Sequence, residues 1–129
     1  MSVHPRVFLR VEGLAALAVA VGAYLTLDGP LWLFLVLALA PDLSMAAYLA
    51  GPRVGSLGYN LVHTYTLPLA LGGVGFWTDA HVAMLVAAIW AAHIGADRVA
   101  GYGLKFETGF GDTHLSTQPA PASVLEDPD

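Results

Sequence analysis

Residues 80–100 read AHVAMLVAAIWAAHIGADRVA. Within this stretch Asp97 and Arg98 are the only formally charged side chains, and both stand near its end. A helix needs roughly 20 mostly apolar residues to cross the hydrocarbon core of a bilayer. The stretch therefore predicts a transmembrane helix. Working outward, residues 11–27, 31–50 and 54–77 form three more apolar runs, and Phe8 and Leu9 extend the first. The separators are short and rich in turn residues: Asp28-Gly29-Pro30, Gly51-Pro52-Arg53 and Thr78-Asp79. Links this tight make neighbouring spans antiparallel. The expected fold is an all-α polytopic membrane protein, a four-transmembrane-helix up-down bundle.

Composition agrees. Of 129 residues, 57% are hydrophobic and 12% charged, about half the charged fraction of a soluble domain. Such a surface faces something apolar. A net charge of −5 with five Lys or Arg residues excludes nucleic acid as a partner, because phosphates need a basic face. The absence of cysteine excludes disulfides, thiol nucleophiles and thiolate metal sites. Arg6 and Arg10 precede an apolar run, as in a signal peptide, but another span follows almost at once. The first run reads as a retained helix.

The basic residues set the orientation. Arg6, Arg10, Arg53, Arg98 and Lys105 fall on one side of the four-span arrangement, and Asp28 and Asp79 on the other. The positive-inside rule then puts both termini in the cytoplasm of a cell with this protein in its inner membrane. Residues 1–115 form one membrane domain. Its last part, 101–115, has glycines and aromatics without helical period and reads as an ordered loop folded back over the cytoplasmic mouth. Residues 116–129, with prolines and acids, read as a disordered tail.

Small residues recur on two helices: Ala83, Ala87, Ala91 and Gly95 on the fourth, Gly13, Ala16, Ala20 and Ala23 on the first. Small seams let backbones approach closely in lipid. They serve packing within the chain or a homodimer.

Ionisable groups inside the membrane are costly and mark function by default. Asp42, near the middle of the second run, and His63, in the third, stand at similar distances from the Gly51-Pro52-Arg53 turn, which makes them level. His93 and Asp97, four apart on the fourth helix, share a face. Each has a plainer role: Asp42 after Pro41 suits a new helical first turn, and the histidines can hydrogen-bond across helices. Together, two imidazoles and two carboxylates match a divalent cation such as Zn²⁺. Asp42, His63, His93 and His114 are the candidate ligands, with Asp97 as fourth ligand or outer partner. Glu12, Asp97 and Asp112 are candidate proton carriers. Asn60, Tyr102 and Lys105 are candidate contacts to an amphiphilic substrate. Arg98 and Lys105 also read as anchors to lipid headgroups.

The order of motifs carries a resemblance. Arg10-Val11-Glu12-Gly13, Ala40-Pro41-Asp42-Leu43-Ser44-Met45, Gly51-Pro52-Arg53-Val54-Gly55, Tyr59-Asn60 and His63-Thr64-Tyr65 are followed by His93-Ile94-Gly95-Ala96-Asp97-Arg98 and Gly101-Tyr102-Gly103-Leu104-Lys105. Thr108-Gly109-Phe110 and Asp112-Thr113-His114-Leu115 close the series. The chain resembles a bacterial family of small four-helix integral membrane proteins classed as a domain of unknown function. The resemblance implies placement and length, and no activity. Three functions stay open: a metal-dependent membrane hydrolase acting on a lipid or other amphiphile, a small ion or proton transporter, and a ligand-binding protein with haem on His63 and His93.

Overall fold

The computed structural model describes residues 4–102, 104–106 and 109–113, with only the backbone described from Lys105 onward. The chain is helical through Ala100: α1 (Pro5–Thr26), α2 (Leu31–Leu37), a 3-10 helix (Ala40–Ala50), α3 (Pro52–Val62), α4 (Thr66–Trp77) and α5 (His81–Ala100). Three helical stretches, Pro5–Thr26, Leu31–Ala50 and His81–Ala100, are long and apolar enough to cross a membrane. Their outer faces suit an apolar solvent: Leu49 is 93% exposed, Leu43 77% and Val19 71%. This is a membrane protein.

The turns follow from local chemistry. At the end of α1, Asp28 adopts φ 58°. Its amide bonds the Leu25 carbonyl, and the Gly29 amide bonds Tyr24. Asp79 adopts the same φ after α4, with the Ala80 amide on the Gly75 carbonyl. Both acids are left-handed helix caps, a conformation that short polar side chains tolerate. Gly101 ends α5 the same way at φ 93°, with Tyr102 N–H on Asp97 and Gly101 N–H on Arg98.

Two proline-directed breaks depart from the uniform spans expected over 31–50 and 54–77. Pro41 has no amide hydrogen, so Leu37 loses its helical partner. The chain continues as a 3-10 helix of 11 residues, long for that form, with Asp42 N–H on the Leu39 carbonyl at 3.0 Å. Pro68 likewise cannot serve Thr64. The third run is therefore two helices, α3 and α4, parted at residues 63–65, with Pro68 in the first turn of α4 where no amide is needed. A break at membrane depth stands only if its polar groups find protein partners. Here they do: Trp90 Nε1 donates to the Val62 carbonyl at 2.6 Å, and Arg98 Nη2 to His63 at 2.9 Å.

α5 is the central element, packed against α1 along its length and against α4. Tyr24, Leu85, Ala88 and Ile89 form a buried core, covered by Leu27, Leu33, Phe34 and Leu37. The small-residue seams are used inside the chain. A Cβ built on Gly95 would lie 2.7 Å from the Gly13 carbonyl oxygen and 2.8 Å from the Leu17 amide nitrogen. Ala87 lies 3.3 Å from a Cβ built on Gly72, and Ala83 3.1 Å from one on Gly75.

After α5, the segment expected as an ordered, folded-back loop carries two short antiparallel strands, β1 (Lys105–Phe106) and β2 (Gly109–Thr113). Lys105 pairs with Thr113 and Phe106 with Gly109, with an irregularity between. The hairpin packs on α3. The tail expected over 116–129 lies outside the described residues.

Candidate metal centre

Four side chains from three elements meet at α5. Asp42 comes from the second residue after the 3-10 helix begins, His63 from the end of α3, and His93 and Asp97 from α5. Both histidines aim Nε2 at the same point. His63 Nε2 lies 3.1 Å from Asp42 Oδ1 and 3.7 Å from Asp97 Oδ2. His93 Nε2 lies 3.0 Å from Asp42 Oδ1 and 3.3 Å from Asp97 Oδ2. The two Nε2 atoms are 3.3 Å apart. All four ligand atoms fall within 4.8 Å of one another.

These distances are close to the edges of a coordination tetrahedron. With Zn–N and Zn–O bonds of about 2.0–2.1 Å, tetrahedral neighbours sit about 3.3 Å apart. The five separations above scatter around that value. Two carboxylates also neutralise a divalent cation, whose charge offsets the cost of burying acids among apolar helices.

The breaks in the helices hold the rings. His93 Nδ1 is 2.6 Å from the Ala38 carbonyl. In a regular helix that carbonyl would accept the Asp42 amide, but Asp42 N–H has turned to Leu39. Pro41 thus frees the acceptor that orients His93. His63 Nδ1 is 2.8 Å from the Tyr59 carbonyl, and the Tyr59 ring stacks on the imidazole at a centroid distance of 3.7 Å and 7°. With Nδ1–H donated to backbone, each Nε2 presents a lone pair to the centre. Metal-ligating histidines are oriented by such outer partners.

The site is nearly sealed. His63 is 1% exposed and His93 8%, while the side chains of Asp42 and Asp97 keep 32% and 18%. A cavity of about 240 Å³ reaches the acids, lined by Leu17, Phe34, Leu39, Asp42, His93 and Asp97 among others.

The other candidates are placed differently. Glu12 lines a separate pocket with Thr64, Tyr65 and Arg98 and does not join the cluster. Asn60 is on α3, one turn before His63. Tyr102 is 60% exposed and offers its carbonyl to Arg98 Nη1 at 3.4 Å. The side chains of Lys105 and Asp112, and the whole of His114, lie outside the described residues. The two imidazole Nε2 atoms, 3.3 Å apart, face the same point. Arg98, read as a headgroup anchor, is 7% exposed and also braces the α3–α4 break. Pro68 announced that break, and Trp90 and Arg98, eight residues apart on one helix, were its available donors.

Replacing Pro41 with Ala tests the orienting role of the break. Restoring an amide at position 41 lets the helix run on and returns the Ala38 carbonyl to Asp42 N–H. Zinc affinity, measured by competition with a chromophoric chelator, is expected to fall about 10–100-fold, the usual effect of removing an outer partner. Helical content by circular dichroism should not fall. Unchanged affinity would mean that His93 needs no such support.

No curated protein and no solved structure matches the chain. A family model does match, over residues 6–117, and its description is a domain of unknown function, DUF4260. With most of its length covered by that match, the chain belongs to this family.

Proposed function

We propose that the protein is a membrane-embedded, metal-dependent hydrolase that opens an ester of a lipid or similar amphiphile at the cytoplasmic side. The observation that carries this reading is the near-tetrahedral set Asp42, His63, His93 and Asp97 at the end of a cavity. Bound zinc supplies a water whose pKa is near neutral. A catalytic zinc keeps one position open. Asp97 is the ligand to vacate it, because its Oδ2 makes the two longer contacts to the imidazoles, 3.3 and 3.7 Å, whereas Asp42 Oδ1 holds both at 3.0–3.1 Å. Displaced, Asp97 takes the proton from water as its oxygen adds to the acyl carbon, and returns it to the departing alkoxide. The products are a carboxylic acid and an alcohol.

The test is turnover of acyl esters in mixed micelles by purified protein with and without metal. Stripping the metal is expected to abolish hydrolysis and zinc to restore it. Asp97→Asn should lower kcat about 10²–10⁴-fold, the usual weight of general-base catalysis, while zinc stays bound through the other three ligands. Full zinc occupancy without turnover on any acyl ester would reject the hydrolase and leave a metal that clamps helices, the role of closed four-ligand sites.

The proposed placement has four crossings, the third built from α3 and α4 together. α4 alone, at 12 residues, is about 18 Å long, short of a core about 30 Å thick. All basic residues then share the cytoplasmic side with both termini. Cytoplasmic reporters fused to either end should be active, and a periplasmic signal from the C-terminal fusion would contradict four crossings.

A further inference from the structure

Beside the metal centre, and joined to it through the His63 backbone carbonyl, lies a second set of polar groups. Arg98 is 93% buried, the complement of its 7% exposure. Its guanidinium gives Nη2 to the His63 carbonyl and Nη1, weakly, to Tyr102. Guanidinium has five N–H donors, and no carboxylate pairs with it among the described residues. A buried cation without a counter-charge is costly. Beside it the Tyr65 hydroxyl is buried without a hydrogen-bond partner among the described residues, which is also unfavourable. Both line one pocket of about 240 Å³ with Thr64, Leu9 and Glu12. The pocket thus holds unmet donors in its depth, at Arg98 and Tyr65, and an exposed acid at its rim, Glu12.

Tyr65 also lines an apolar groove of about 670 Å³ between α1, α4 and α5, floored by small residues such as Ala20, Gly72, Gly73 and Ala87. The volume is that of a typical ligand site. A polar pocket with inner positive and outer negative charge therefore shares Tyr65 as a wall with a groove suited to hydrocarbon. A fatty carboxylate would satisfy Arg98 but be repelled by Glu12. A headgroup with a phosphate followed by a primary ammonium satisfies both. We propose that this pocket and groove bind one phospholipid of the phosphoethanolamine class, its phosphate on Arg98 and Tyr65, its ammonium on Glu12, and one acyl chain along the groove. The proposal does not rest on the hydrolase reading.

Lipid retention by the purified full-length protein, followed by native mass spectrometry, tests it with two probes of identical acyl chains: phosphatidylethanolamine and phosphatidylglycerol. The second keeps the phosphate and lacks the ammonium. Wild type is expected to prefer the first by about fivefold, the scale of an accessible ion pair, and Glu12→Gln should erase that preference without loss of phosphatidylglycerol binding. Gly73→Leu puts a side chain into the groove from a position where an added Cβ meets nothing within 4 Å; it should weaken both lipids about tenfold or more. Tyr65→Phe removes an unpartnered hydroxyl, so the delipidated protein should melt no lower than wild type while binding either lipid less well. Equal retention of the two lipids by wild type would overturn the headgroup assignment. Unchanged retention by Gly73→Leu would overturn the groove.

Discussion

Replacing His93 with Ala is expected to strip zinc from the protein and to lower its melting temperature in detergent. His93 Nε2 faces three other donors at 3.0–3.3 Å, Asp42, Asp97 and His63, and no neighbouring side chain can take its place in that geometry. Loss of outer partners alone costs about 10–100-fold in metal affinity; loss of the ligand itself costs more. Stability follows by mass action. Ligand at about 1,000 times its dissociation constant stabilises the folded state by about 4 kcal/mol, all of which disappears with the site. Without metal, the variant also leaves Asp42 and Asp97 close together in a largely apolar setting. His63→Ala and Asp42→Ala should behave alike. The control is wild type in chelator, which should melt close to the variant. If wild type and His93→Ala melt together with zinc in excess, the four groups form a hydrogen-bonded cluster and no metal site.

The second large effect reverses an ordinary propensity. Glycine inside a helix is worse than alanine by about 0.5–1 kcal/mol. Gly22→Ala, on α1 with nothing within 4 Å of the added methyl, should therefore raise the melting temperature. Gly95→Ala should lower it, because that methyl would sit 2.7 Å from the Gly13 carbonyl and 2.8 Å from the Leu17 amide. These are backbone atoms of α1, so relief requires the two helices to part. Overpacking of this kind costs about 1–3 kcal/mol. The separation would also shift His93 and Asp97, carried on the same helix, and zinc affinity should fall with stability. The same sign for both substitutions would show that α1 and α5 do not cross at Gly13 and Gly95.

The sequence exposed the centre because charge inside an apolar run is rare enough to interpret alone. Asp42, His63, His93 and Asp97 each interrupt such a run, and counting residues from the Gly51 turn made Asp42 and His63 level. The structure brings these four together. Glu12, expected as a proton carrier for that centre, lines the Arg98 pocket. Sequence gave its depth in the membrane and not its azimuth. The breaks were hidden for a different reason. A run of apolar residues sets length, whereas the missing amides of Pro41 and Pro68 decide which carbonyls are free, and only the tertiary fold shows which donors reach them. Ala38 with His93, and His63 with Arg98, are such pairings. The hairpin over 105–113 escaped because its alternation is too short to show a period of two.

The central claim is a four-ligand nitrogen and oxygen site. X-ray absorption at the zinc edge on the detergent-purified, zinc-loaded protein measures that site directly. The account expects about one zinc per chain, with four nitrogen or oxygen neighbours at about 2.0–2.1 Å and outer-shell scattering from two imidazoles. Six-coordinate zinc, a single imidazole or none, or a protein that retains no stoichiometric metal would contradict it.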